Sequence, residues 1–255
     1  MPVAVLSALG EEISLLIESL QRPAKDQMAV WPTWTGRFVE TEVVLAAAGP
    51  GKVNTAALAS IIWARHQPSV FIFSGVAGAL DPSLEIGDLV IGERTIQHDA
   101  GVIGPEGFER YQAGHIPFYN PTDELGFAPT DRLLELVRSV SGHAHLTPVL
   151  DRDPTIRFGT ILTGDQFLHD GPTRDRLHTE LSAQAIEMEG AALGQAAASL
   201  GADHIVIRSI SDRADADAIV DFDRFLPEAA ANSARLVLAL VSRFEDHHRD
   251  LTVGA

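Results

Sequence analysis

The amino-acid sequence predicts an α/β fold, with one domain built on a mostly parallel sheet. Apolar, β-branched runs of about four to eight residues alternate with longer amphipathic stretches, which is the pattern of strands joined by helices. The 255 residues, 45% of them hydrophobic, are enough for one large domain with a sizeable core. We expect this domain to span residues 1–244, followed by a polar, frayed tail at residues 245–255.

Strands are predicted where short β-branched or apolar runs are bounded by glycine, proline or polar residues. These segments are residues 3–9, 43–48, 70–74, 89–91, 157–162, 185–187 and 204–210. A hairpin is also predicted within residues 27–39, with Thr35-Gly36 as its turn. It would add antiparallel strands at one edge of the sheet.

Helices are predicted over the longer amphipathic stretches, at residues 11–20, 53–65, 131–139, 173–179, 189–200 and 227–244. In the last of these, Leu236, Leu240 and Phe244 recur every four residues and form one apolar stripe. Residues 99–130 differ, because they contain five glycines and four prolines and show weak periodicity. We expect a long loop there, and such loops are usually functional or lie at an interface.

Composition restricts the class of partner. The net charge of -16 disfavours nucleic acids and anionic membranes, which leaves small molecules or proteins. The absence of cysteine excludes disulfides and a thiol nucleophile. No histidine pair has the spacing of a metal-binding motif. Because the sequence has neither a secretory signal nor an apolar run long enough for a bilayer, we expect a cytoplasmic protein.

The segment from Ala185 to Asp212 carries the strongest sign of a functional site. Its motifs, I-E-M-E-G-A-A and I-R-S-I-S-D, place Glu187, Glu189, Arg208 and Asp212 at the ends of two predicted strands. An unpaired buried carboxylate costs several kcal/mol or shifts its pKa, so charges at these positions indicate a function.

Three further motifs follow predicted strands. A-A-A-G-P-G-K at residues 46–52 lacks the first glycine and the hydroxyl of a phosphate-binding loop, so it predicts only a tight turn. S-G-V-A-G-A-L at residues 74–80 lacks a dinucleotide fingerprint and is interpreted as a second turn. T-G-D-Q-F-L at residues 163–168 carries Phe167, which would lie in the core or stack on a planar ring. The sequence contains no G-x-S-x-G motif, which argues against a serine hydrolase.

Taken together, six motifs resemble those of one family: G-E-E at 10–12, A-G-P-G-K at 48–52, S-G-V-A-G-A-L at 74–80, T-G-D-Q-F-L at 163–168, I-E-M-E-G-A-A at 186–192 and I-R-S-I-S-D-R-A-D at 207–215. The chain resembles the 5'-methylthioadenosine/S-adenosylhomocysteine nucleosidases of the nucleoside phosphorylase superfamily. The resemblance implies a single three-layer α/β/α nucleosidase domain with a twisted central mixed β-sheet. It also implies a homodimer that hydrolyses an adenine N-glycosidic bond without a metal or organic cofactor.

The resemblance implies a role for each matching position. Glu12 would activate the attacking water, with Arg208 holding the water in place. Glu189 would bind the ribose hydroxyls, and Asp212 would protonate adenine N7. Ser211 would support the Asp212 carboxyl, and Met188 would pack against the sugar. The Phe167 and Leu168 backbone would contact the purine edge while the Phe167 ring stacks on the base. Leu9, Pro50 and Phe222 would line the apolar pocket for the 5' group, and Glu187 and Val76 are further substrate-binding candidates.

Two positions depart from the family pattern. Val76 stands where the family often has a hydroxyl residue, so one polar contact near the ribose or the water is missing. In the loop after His98-Asp99 the family usually offers an aromatic residue to the partner's active site, and Val102 and Phe108 are the candidates here.

Two alternative functions remain. A phosphorylase would need cations and hydroxyls around phosphate. Because Val76 is apolar and residues 70–74 contain no arginine, the sequence favours water as the nucleophile. A nucleoside sensor that binds without cleaving would need no proton donor at the base, so the presence of Asp212 together with Glu12 and Glu189 favours an enzyme.

Overall fold

The computed structural model describes residues 2–244, and the predicted tail lies outside the described residues. A nine-stranded mixed sheet lies between two layers of helices, which confirms the predicted α/β/α architecture. The strands are β1 (Val3–Ser7), β2 (Gln21–Met28), β3 (Trp31–Phe38), β4 (Thr41–Ala47), β5 (Val70–Ala79), β6 (Leu89–Gln97), β7 (Gly101–Gly104), β8 (Gly107–Arg110), β9 (Ile156–Thr163), β10 (Ala183–Glu187) and β11 (Asp203–Asp212). The helices are α1 (Gly10–Glu18), α2 (Lys52–His66), α3 (Asp131–Ser141), α4 (Gly171–Leu181), α5 (Gly190–Leu200) and α6 (Ala218–Val241).

The large sheet has the strand order β10-β9-β6-β11-β5-β1-β4-β3-β2. Strand β10 also pairs antiparallel with the end of β5, where Ile186 lies opposite Gly78. The strands β5, β11, β6, β9 and β10 therefore close into a ring. This closure brings the end of β10 beside the last residues of β5.

Two apolar clusters hold the helices to the sheet. On one face, α1, α3 and α6 bury residues such as Ile13, Val137 and Leu236 against β1, β5 and β11. On the other face, α2 and α5 bury Leu58 and Leu193, among others. Each fully buried aliphatic side chain contributes about 1.5–3 kcal/mol, so both helix layers are tightly bound. Within residues 2–244, no helix is long and apolar enough to cross a bilayer.

The predicted hairpin turn at Thr35-Gly36 is wrong. Both residues lie inside β3, and the chain turns at residues 29–30, with Ala29 at a positive φ of 53°. Gly36 serves close packing, because a Cβ there would lie 2.6 Å from Leu20 Cγ and 2.7 Å from the Gln21 carbonyl oxygen. A glycine that makes room for a neighbour looks the same in sequence as a glycine that makes a turn.

Three further predictions also need correction. S-G-V-A-G-A-L is not a turn, because β5 continues through it to Ala79. Residues 99–130 are not loop throughout, since β7 and β8 form a two-stranded hairpin. Helix α6 begins at Ala218 and contains Pro227 within it, so proline does not mark the helix start as predicted. The nine additional residues place Phe222 on α6, beside the functional site.

Candidate active site

A cavity of about 300 Å³ lies where β1, β4, β5, β9, β10 and β11 end. The structure brings together all the site residues predicted within one chain. They are Leu9, Glu12, Pro50, Val76, Phe167, Leu168, Glu187, Met188, Glu189, Arg208, Ser211, Asp212 and Phe222. These residues come from segments far apart in sequence, and the ring of strands gathers them at one point.

Arg208 is the centre of the charged part of the cavity. Its side chain is 1% exposed and lies on β11 among three buried carboxylates. It donates a hydrogen bond to Glu187, lies 3.1 Å from Glu189 Oε2 and lies 3.8 Å from Glu12 Oε1. Its guanidinium also stands 4.5 Å from the centre of the Phe73 ring. Burial alone would lower the pKa of Arg208, but the three carboxylates more than offset this and raise it.

Glu187 anchors this arrangement to helix α5. Its carboxylate accepts hydrogen bonds from the backbone N–H groups of Glu189 at 3.0 Å and Gly190 at 2.7 Å, and from the Thr163 hydroxyl. A carboxylate at a helix N-terminus is favoured by the unpaired N–H groups and the helix dipole. With Arg208 as a further donor, Glu187 is fully engaged by the protein, which suits a residue that positions others.

Glu12 is held by three backbone donors. Its carboxylate accepts from the N–H groups of Ala8 and Leu9, both at 2.8 Å, and of Val76 at 2.9 Å. Burial raises the pKa of Glu12, although Arg208 and these N–H groups act in the opposite direction. Gly75 is essential to this geometry, since a Cβ there would lie 2.3 Å from Glu12 Oε1 and 2.4 Å from Arg208 Nη1.

Glu189 lies between two helix N-termini. It is the N-cap residue of α5, and its Oε1 accepts from the N–H of Gly51, 2.8 Å away in the turn before α2. Burial raises the pKa of Glu189 to about 7; Arg208 opposes this shift and the Glu187 carboxylate adds to it.

Asp212 stands apart from the arginine cluster, at the last position of β11. Its carboxyl accepts from the Ser211 hydroxyl at 2.8 Å and from the Ala214 N–H at 2.9 Å. Burial raises its pKa to about 6 despite these two donors. Gly78 leaves room for this group, because a Cβ there would lie 2.8 Å from Asp212 Oδ1. A carboxyl in this environment keeps part of its protons close to neutral pH.

Apolar groups form the rest of the cavity wall. Phe167 and Phe222 meet edge to face, with ring centres 5.8 Å apart. The Val76 side chain packs with Phe222 and with Ala229 and Ala230 of α6. Although Val76 has no hydroxyl, its backbone contributes polar contacts: the N–H binds Glu12, and the carbonyl accepts from Arg208 Nη1 at 3.3 Å.

Comparisons with known proteins show the family of this chain. Residues 2–242 match the family model described as the phosphorylase superfamily. The chain is 44% identical over 245 residues to the 5'-methylthioadenosine/S-adenosylhomocysteine nucleosidase of Mycobacterium tuberculosis, covering 94% of this chain and 96% of the relative.

The chain belongs to the 5'-methylthioadenosine/S-adenosylhomocysteine nucleosidase family.

Solved structures of this family have the same fold. The Neisseria meningitidis nucleosidase, in complex with methylthio-immucillin-A, superimposes with a TM-score of 0.82 at 32% identity, covering 94% of this chain and 98% of that one. The Streptococcus pyogenes enzyme, in complex with 5-methylthiotubericidin, gives a TM-score of 0.83 at 30% identity, with 95% and 97% covered.

The sequence of this member of the nucleosidase family did not predict every residue that lines the cavity. Ala8, Ala77, Gly78, Gln166 and Ile186 also line the cavity. Each lies within or beside a motif already noted, so the motif positions were the available signal. Val102 and Phe108 are on the β7–β8 hairpin and are not among the residues that line this chain's own cavity.

We expect Arg208→Met to lower the free energy of unfolding by about 3–5 kcal/mol at pH 8, because it leaves three buried carboxylates without their cation. Burial already raises the pKa values of Glu12 and Glu189, and they would rise further without Arg208, so the folded protein would bind more protons than the unfolded chain. The lost stability is therefore largest at high pH and partly recovered at pH 5. Urea unfolding at both pH values measures this difference.

Arg176→Met is the matched control, because Arg176 is 54% exposed and pairs with Glu180 on the surface of α4. Its loss should change the free energy of unfolding by less than about 0.5 kcal/mol. Equal stability of wild-type protein and Arg208→Met at pH 8 would show that the buried cluster does not depend on this cation.

Proposed function

We propose that this protein hydrolyses the N-glycosidic bond of 5'-methylthioadenosine, S-adenosylhomocysteine or both, and releases adenine. One observation carries the proposal: a single cavity holds a carboxyl suited to donate a proton, Asp212 with a pKa of about 6, and a separate carboxylate cluster around Arg208. Glycosidic cleavage needs both groups, one to protonate the leaving base and one to stabilise positive charge on the ribose. The named functions of the family's other members agree with it.

Cleavage of the C1'–N9 bond leaves positive charge on the ribose and negative charge on the purine. Asp212 would donate its proton to adenine N7, so that the bonding electron pair leaves with a neutral base. Phe167 and Leu168 would bind the purine beside it. A raised pKa is required for this role, since an ordinary aspartate is ionised at neutral pH.

The ribose end of the cavity would stabilise positive charge and activate water. Glu189 would accept hydrogen bonds from the ribose hydroxyls, next to Met188. Glu12 would take one proton from water as the water oxygen bonds to C1'. The buried carboxylates also favour an oxocarbenium-like state electrostatically. Arg208 would hold Glu12 and Glu189 in position through the contacts described above.

Water fits the cavity better than phosphate does. Among the cavity-lining residues that the structure describes, Arg208 is the one arginine or lysine, and it already faces three carboxylates. A doubly charged phosphate in the cavity would have no free cation to bind it, and the carboxylates around Arg208 would repel it. Its binding would therefore be strongly unfavourable. We therefore favour hydrolysis over phosphorolysis.

A non-catalytic nucleoside sensor would be a binding protein with the same cavity. Recognition of adenine and ribose does not require a carboxyl with a raised pKa, because neutral hydrogen-bonding groups are sufficient. Burying Asp212 and Glu12 costs stability, and a site pays this cost where proton transfer is needed. We therefore favour an enzyme.

The 5' group of the substrate would lie against apolar residues of the cavity wall. Leu9, Pro50, Val76 and Phe222 line the cavity and would contact this group. Methylthioadenosine, S-adenosylhomocysteine, 5'-deoxyadenosine and an aminofutalosine-like nucleoside share the adenine and ribose. Differences in one apolar pocket separate such substrates by only about 1–3 kcal/mol.

We further propose a cytoplasmic homodimer. The segment at residues 99–130 exposes large apolar side chains, including Ile103 at 84%, Phe118 at 84% and Tyr119 at 82%. Exposed apolar groups on one segment are typical of a surface that a partner covers. Val102 and Phe108 of the hairpin would then reach the partner's 5' pocket.

Purified protein should release free adenine from methylthioadenosine at the same rate with and without phosphate, because we expect water to be the nucleophile. Chromatography of the products measures this, using the four nucleosides above as a panel. A phosphate-dependent rate with a sugar-1-phosphate product would establish a phosphorylase instead. Tight nucleoside binding without any adenine release would establish the sensor.

We expect kcat/KM to fall above about pH 6, as Asp212 loses the proton that it must donate. Asp212→Asn should lower kcat by about 10²-fold or more while analogue binding survives.

Ser211→Ala is the diagnostic variant, because it removes a hydrogen bond that stabilises ionised Asp212. Its loss should raise the pKa of Asp212 and shift the alkaline decline to higher pH. An unchanged pH profile in Ser211→Ala would exclude Asp212 as the titrating acid.

Phe108→Ala should raise KM for methylthioadenosine more than for adenosine, because only the former has an apolar 5' group for the partner's hairpin to cover. Light scattering with a simultaneous assay should show activity lost as dimers dissociate on dilution. A fully active monomer would rule out the shared site and leave the hydrolase proposal unaffected.

A further inference from the structure

A second ionic cluster lies next to the cavity without lining it. It consists of Lys52, Asp99 and Asp165. Lys52 Nζ is 2.7 Å from Asp99 Oδ1 and 3.9 Å from Asp165 Oδ2. The Lys52 backbone N–H also donates to Asp165 Oδ1 at 2.9 Å, and the Asp165 N–H donates to Asp99 Oδ2 at 3.1 Å. Each member of this triad therefore contacts the other two.

The three residues belong to three different segments around the cavity. Lys52 is the first residue of α2 and follows Gly51, whose N–H holds Glu189. Asp165 stands between β9 and α4, two residues before Phe167. Asp99 lies between β6 and the β7–β8 hairpin. The triad thus joins the purine side of the cavity to the base of the hairpin.

The local backbone is adapted to this contact. Gly51 has a φ of 101°, which favours glycine. A Cβ at this position would also lie 3.1 Å from Asp165 Oδ1. Gly51 of the G-P-G-K motif therefore lets the Asp165 carboxylate approach the N-terminus of α2. This adds a packing role to the tight turn that the sequence predicts for the motif.

We infer that Lys52 is a positioning residue that holds the purine-binding segment, residues 165–168, in place through Asp165 and Asp99. The inference rests on the proposed function, because it takes Phe167 and Leu168 as purine contacts. Phe167 is 43% exposed, so its ring depends on the path of its backbone for placement at the cavity. The triad constrains that path two residues away.

This role predicts an effect on ground-state binding of the base and little effect on the chemical step. Lys52→Met leaves Glu12, Asp212 and Arg208 untouched, and it keeps the Gly51 N–H that binds Glu189. We expect KM for methylthioadenosine and Kd for adenine to rise about three- to tenfold. This is the effect expected when a partly exposed ion pair is lost together with the purine contact that depends on it. We expect kcat to change by less than about twofold.

The sequence provides a matched control, because Lys25 and Lys52 are its only lysines. Lys25 lies over the Trp34 ring on the edge strands, with its Nζ 5.6 Å from the ring centre. Lys25→Met should behave as wild type. Lys52→Arg keeps the charge and should restore most of the adenine affinity. Asp99→Asn removes the negative charge of Asp99 from the triad without shortening the side chain. This variant should be measured in place of Lys52→Met if Lys52→Met fails to fold.

Adenine binding should be measured by calorimetry at low and high salt, alongside steady-state kinetics. Since adenine is uncharged at neutral pH, the difference in affinity between wild type and Lys52→Met should shrink as salt screens the triad. Equal adenine affinity in the two proteins at low salt, or a fall in kcat at unchanged KM, would overturn the inference alone. A wild-type protein that does not bind adenine would instead contradict the proposed function.

Discussion

The site depends on one interaction, the contact of the Arg208 guanidinium with the carboxylates of Glu12, Glu187 and Glu189. Three negative charges in one apolar pocket would repel each other and take up protons without this cation. Neighbouring structure serves the arrangement, since Gly75 leaves space for two of the groups. The Phe73 ring also covers one face of the guanidinium.

The helix layers supply further positive potential where the carboxylates gather. Glu187 binds the N–H groups at the start of α5, while Glu189 and Asp165 bind those of Gly51 and Lys52 at the start of α2. Unpaired N–H groups and the helix dipole favour anions at these ends. An acidic site is thus compatible with folding because two helix N-termini and one arginine offset its charge.

Separation of charge within the cavity underlies the proposed chemistry. Asp212 is set apart from Arg208 and lies near other acidic residues, so burial and the charges of Asp221 and Asp215 keep its pKa raised. Burial raises the pKa of Glu12 too, but Arg208 and three backbone N–H groups oppose that shift. The two carboxyl groups therefore differ in their surroundings, since Glu12 has a cation nearby and Asp212 has acidic neighbours.

The sequence by itself determined the α/β class and the order of most elements, because these follow from periodicity. It also determined the motifs that line the cavity, through their place at predicted strand ends and their resemblance to one family. The sequence did not show whether a glycine makes a turn or leaves room for close packing. Gly36, Gly75 and Gly78 all lie within strands, where each makes room for a side chain or backbone that is distant in sequence. It likewise left Lys52 without a role, since Asp99 and Asp165 reach it only in the folded chain. Close approach between remote segments is a property of packing, and only the tertiary structure decided it.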